Sequence, residues 1–224
     1  MLTSLLNGGN VTDIIVSLLL SVPIIFLALS VHETAHGYVA YKLGDPTAHS
    51  LGRLTLNPIN HIDILGFICM LVAGFGWAKP VPINSRYFKK PKRDMALTAL
   101  AGPLSNLLLA VVFAFILKGV ALLWNFLPPS TEITFNIYTW SFELITIGIR
   151  MNVVFAVFNM LPVPPFDGSR IFLTFLPSNT YFKIMRYEQY IQIAIMLALV
   201  LGFLDKPLAI VSNFVLNIIW QMVF

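Results

Sequence analysis

Charge is what this chain has least of. Only 11% of its 224 residues are Asp, Glu, Lys or Arg, while 58% are apolar. A soluble domain carries about 25% charged residues, so this composition excludes an ordinary water-soluble fold and implies an integral membrane protein. Cysteine is almost missing too. Cys69 stands alone, which excludes an internal disulfide and a thiolate metal site. No Lys or Arg precedes Lys42, so the N-terminus lacks the basic region of a cleaved signal. The formal net charge of +4 is local rather than diffuse. Arg86, Lys89, Lys90, Lys92 and Arg93 cluster between apolar stretches, as on the cytoplasmic flank of a membrane, and nothing points to a nucleic-acid partner. There is no internal repeat and no low-complexity tract. One membrane domain over residues 1–224 is expected, with a core at about 11–176 and C-terminal helices at about 187–223.

The apolar runs give an all-α polytopic membrane protein with about five transmembrane helices and one short re-entrant helix/β-hairpin element. The first helix runs from about Val11 to Leu43, with Pro23 inside it and Gly44-Asp45-Pro46 ending it. Full spans follow at about Met95–Trp124 and Phe135–Leu161, then shorter ones at Glu188–Leu204 and Pro207–Val223. Residues 62–75 are apolar but too short for a span of about 20 residues, and they run into Gly74, Gly76, Pro80 and Pro82. Residues 62–86 therefore read as an element that enters and leaves on one side. Glu143 and Arg150, seven residues apart on one helical face, are expected to point into the bundle. Placing the Lys- and Arg-bearing loops in the cytoplasm puts the N-terminus outside and the C-terminus inside.

Residues 32–36 read His-Glu-Thr-Ala-His at the end of a stretch, Ile14 to Val31, with no charged residue. On a helix, positions i and i+4 share a face, so His32 and His36 can grip one metal ion. Glu33 lies beside that ion, where it can take a proton from water. His32 is ten residues before Lys42, about 15 Å along a helix, which sets the motif in the inner half of the membrane. A catalytic zinc site needs a third protein ligand. His49 and His61 lie in the polar segment 44–61. Asp167, which ends the proline-broken run Asn159-Met-Leu-Pro162-Val-Pro164-Pro165-Phe-Asp167, is the better candidate, and the alternative for it is a helix cap at Gly168.

With these residues the sequence resembles the site-2 protease family of intramembrane metalloproteases. The resemblance rests on His32–His36 and on the Asn159…Pro162…Pro164…Asp167-Gly168 run. It extends through Gly76-Trp77-Ala78-Lys79-Pro80-Val81-Pro82 and Gly102-Pro103-Leu104-Ser105-Asn106, and it covers about residues 30–175. It implies one Zn2+ per chain held by His32, His36 and Asp167, with Glu33 as general base. It also implies a hairpin over 74–86 that offers its edge to an unwound transmembrane substrate, and Asn106 and Asn159 near that substrate. No PDZ or CBS regulatory domain accompanies the core. The implied activity is endopeptidase cleavage of transmembrane segments, at a site in the cytoplasmic half of a cell membrane. The alternatives are a non-catalytic helix-binding scaffold and a metal transporter.

Overall fold

In the computed structural model, residues 11–73, 78–177, 180, 183, 184 and 186–224 are described. Long apolar runs build long helices, and the described residues form helices with no strand. Helix α1 is Val11–Lys42, α2 Thr47–Ser50, α3 Ile64–Ala73 and α4 Pro91–Phe126. Helix α5 is Glu132–Asn159, α6 Asp167–Leu173, α7 Glu188–Val200 and α8 Asp205–Val223. By length and composition α4, α5 and α8 can each cross a membrane, and α1 contains the charge-free stretch Ile14–Val31.

Each boundary has a local cause. Helix α1 stops where Gly44 takes φ 108°, a backbone shape that side chains oppose. Helix α4 starts at Pro91, which has no N–H to leave unpaired. Helix α5 starts at a capping box in which the Thr131 and Thr134 side chains each accept from the other's backbone N–H.

Helix α4 packs most extensively on α5 and then on α1. Its buried face repeats every four residues: Asp94, Thr98, Gly102, Asn106, Ala110 and Ala114. Small residues there let α1 and α5 approach closely. Towards its C-terminal end this face joins Ile145, Ile149 and Val153 of α5 and Ile219 and Val223 of α8 in one apolar core. The pairs His36–Thr98 and His32–Asn106 show that α1 and α4 run antiparallel.

Three expectations change. Helix α7 is 13 residues long, about 20 Å, which falls short of the roughly 30 Å apolar layer. Among the described residues three helices are long and apolar enough to cross a membrane, where about five spans were expected. The same short helix changes where the chain ends. Lys118, near the end of α4, donates to the Val223 carbonyl, so α8 finishes beside the end of the bundle where α1 begins. The start of α1 and the end of α8 lie at one end of the bundle, where opposite ends were expected. Finally, Glu143 and Arg150 do share a face, but both are exposed. The inward face of α5 is Ile145, Gly148, Ile149, Asn152, Val153 and Ala156.

The segment 62–86 leaves and returns at one point, because Ile62 and Ala78 form an antiparallel bridge and Lys79 N–H donates to the His61 carbonyl. It is not a β-hairpin among the described residues. The bridge is isolated, α3 occupies 64–73, and residues 74–77, with Gly74, Gly76 and Trp77, lie outside the described set.

Candidate metal centre

Helix α1 presents His32 and His36 on one face, both 6% exposed. Their Nε2 atoms are 3.0 Å apart. Asp167 Oδ2 lies 3.1 Å from each. Asp167 is the first residue of α6, and the N-cap position belongs to Phe166, which makes no side-chain cap bond. Its carboxylate therefore faces the histidines rather than capping its own helix.

Hydrogen bonds fix the protonation of both rings. His36 Nδ1 lies 2.7 Å from the Thr98 carbonyl oxygen. A carbonyl only accepts, so Nδ1 carries the proton and the neutral ring keeps a lone pair on Nε2. His32 Nδ1 lies 2.6 Å from Asn106 Oδ1, again an acceptor, with the same result. With both rings neutral, two nitrogen lone pairs and a carboxylate oxygen converge within about 3 Å. Three such acceptors repel one another unless a cation, a proton or a metal ion, lies among them.

The donor set is the one zinc takes in catalytic sites, two imidazoles and a carboxylate. Three atoms bound at 2.0–2.1 Å to a tetrahedral ion would be about 3.3 Å apart, close to the separations here. Gly102 supplies an independent sign of fit. A Cβ built on it would fall 2.4 Å from His36 Nε2 and 2.6 Å from His32 Cε1, so any side chain there would fill the cradle. His32, His36 and Asp167 therefore fit a zinc ion, and their atoms form a group able to hold a metal.

Glu33, next to the first histidine, is partly exposed, and its Oε2 accepts from Val81 N–H at 2.8 Å. The extended run 79–84 is held by further bonds. Arg53 Nη2 donates to the Lys79 carbonyl at 2.9 Å, and Asn84 N–H donates to buried Asp45 at 2.6 Å. No described strand pairs with this run.

Asn106 is fully buried. It accepts from His32 through Oδ1 and donates through Nδ2 to the Ala28 carbonyl and to Asn152 Oδ1. Its amide thus links α1, α4 and α5 beside the ligand group. Asn159 donates back to the Phe155 carbonyl on its own helix at 3.0 Å. His61 is buried against the Thr55 carbonyl and exposed His49 stacks on Tyr41, both outside the group. Sequence reasoning missed Thr98, Gly102 and Asn152. The four-residue recurrence of small and polar residues along α4 is the signal that reaches Gly102.

A curated protein of Bacillus subtilis named "Putative zinc metalloprotease YwhC" is 44% identical over 171 residues, covering 74% of this chain and 73% of that protein. This chain belongs to that zinc metalloprotease family. A Methanocaldococcus jannaschii protein with the same form of name, MJ0611, is 36% identical over 140 residues, 62% of each chain. Rip2 of Mycolicibacterium smegmatis, named likewise, is 28% identical over 148 residues, and the match spans 51% of its length. No family model and no solved structure matches the chain.

Proposed function

We propose that this chain is an intramembrane zinc endopeptidase of the site-2 type, cleaving transmembrane segments of other membrane proteins. The observation that carries the reading is the convergence of His32, His36 and Asp167 beside Glu33, in a bundle whose α4, α5 and α8 are long and apolar enough to cross a membrane. His32, His36 and Asp167 would hold the ion, which when bound would supply a Lewis acid and lower the pKa of a water to about 7. Glu33 would accept a proton from the attacking water and return it to the leaving amine of the cleaved peptide bond. Val81 N–H keeps the Glu33 carboxylate in place until substrate arrives.

A helical substrate hides its peptide bonds, so it must unwind locally. The run 79–84, anchored at both ends and lacking a partner strand, suits an added substrate strand. Helix α8 is fixed mainly by Ile219, Val223 and Lys118 at its far end, while Ser212 is the only buried residue of its first half. That half and α7 form the lateral gate. The basic end of the bundle, from Lys42 to Arg93, would face the cytoplasm, with the ligand group in the cytoplasmic half and the start of α1 and the end of α8 on the outer side.

The decisive experiment measures zinc content and cleavage of a helical membrane substrate for the wild type and Glu33→Gln. Zinc in both with cleavage in the wild type alone supports the reading. Cleavage that survives in Glu33→Gln refutes the mechanism, and a protein without zinc refutes the site.

A further inference from the structure

The geometry points to Asn152 as the positioning residue that fixes which nitrogen of His32 is free to bind metal. Asn152 is fully buried on the inward face of α5, at the level of the ligand histidines. An amide in that place is costly unless all its groups are paired. Here they are paired in one direction. Asn152 Nδ2 lies 2.8 Å from the Gly148 carbonyl, which can only accept, so the NH2 group of Asn152 must face Gly148. Its Oδ1 is thereby turned towards α4, where it lies 2.9 Å from Asn106 Nδ2. Asn106 must then present its own Oδ1 to His32 Nδ1, at 2.6 Å. His32 Nδ1 carries the proton, and Nε2 is left as a lone pair facing His36 and Asp167.

The opposite arrangement shows what the relay prevents. If the Asn106 amide were reversed, its NH2 would face His32 Nδ1 and force the proton onto Nε2. That proton would point into the ligand group, and His32 could not bind metal. The other partner that opposes the reversal is the Ala28 carbonyl, at a longer 3.2 Å. Asn152 therefore acts two bonds away from the site, through Asn106, without touching metal or substrate. It completes an outer shell that runs from the backbone of α5 through α4 to α1. Outer-shell partners of ligand histidines set the tautomer and the basicity of the ring.

This inference rests on the metal-centre reading above, and its test separates the two. Full-length protein in detergent is titrated with Zn2+ against a competing chelator, and with Co2+ for its visible spectrum. Asn152→Leu removes both bonds, and we expect Zn2+ affinity about 10- to 100-fold weaker, with an altered Co2+ spectrum. Adding Asn106→Asp to that variant should recover the affinity, because a carboxylate has no N–H to offer His32 whichever way it turns. Asn152→Asp, of the same shape, still accepts from Asn106 and should bind within about threefold of the wild type. If Asn152 only packs α5 on α4, Asn106→Asp will not restore binding. That result overturns the proposal, as does Asn152→Leu with wild-type affinity. Should Asn152→Leu not fold, Asn152→Asp decides alone, and a tenfold or greater loss would overturn the idea. Failure of the wild type to bind Zn2+ would instead remove the metal-centre reading.

Discussion

Gly102 is the most exacting position of the site, and alanine there is the sharpest perturbation. The added Cβ would sit 2.4 Å from His36 Nε2, 2.5 Å from His36 Cε1 and 2.6 Å from His32 Cε1, against an ordinary contact of 3.4 Å or more. One methyl group therefore demands nearly 1 Å of movement from both ligand rings. The rings cannot yield independently. His36 is tied to the Thr98 carbonyl and His32 to Asn106, one turn to either side of Gly102 on the same helix. Metal–ligand distances tolerate only about 0.2 Å, and a misplacement near 1 Å costs about 100-fold where geometry is strict. We expect Gly102→Ala to weaken zinc binding by at least that factor, about 2.7 kcal/mol, while helix content stays unchanged. The assay is zinc stoichiometry after purification, with affinity from chelator competition and circular dichroism as the folding check. Gly119→Ala is the control on the same helix. A Cβ there meets nothing within 4 Å, so zinc binding should not change. Stoichiometric zinc of wild-type affinity in Gly102→Ala would refute the cradle argument.

Three further changes probe neighbouring parts. Asp167→Ala should abolish tight zinc binding while the protein still inserts and folds, and retained stoichiometric zinc would show that Asp167 is no ligand. Val81→Pro removes the N–H that meets Glu33; cleavage should fall about 10- to 100-fold, matching one charge-assisted bond of 1.5–3 kcal/mol, with zinc content unchanged. Asp45→Ala strips the buried acceptor shared by Thr47 and Asn84. It should destabilise the protein by about 2 kcal/mol or more, seen as a lower thermal midpoint.

The parts that were readable from sequence are those written in one short stretch. His32, Glu33 and His36 share two turns of one helix, so their spacing alone states the geometry. The long helices were equally plain, since charge-free runs admit little else. Asp167 was visible but ambiguous. Ligand and helix cap make the same local pattern, and the choice depends on where α6 lies against α1. Thr98 and Asn152 were out of reach for a stronger reason. Thr98 acts through its backbone carbonyl, which carries no sequence signature, and Asn152 acts through a second amide on another helix. Glu143 and Arg150 misled because a shared face does not say which way that face turns. Helix α7 misled because its apolar run extends past Val200, while the chain turns at Gly202 with φ 74°.

The ligand group joins residues far apart in the chain, His36 and Asp167 being separated by 131 positions. Proteins are made from the N-terminus, so α1 enters the bilayer long before α6 exists. During that interval the two histidines and Glu33 are present without their third partner. The ligand group is therefore completed late, only once α6 has followed α4 and α5 into place against α1.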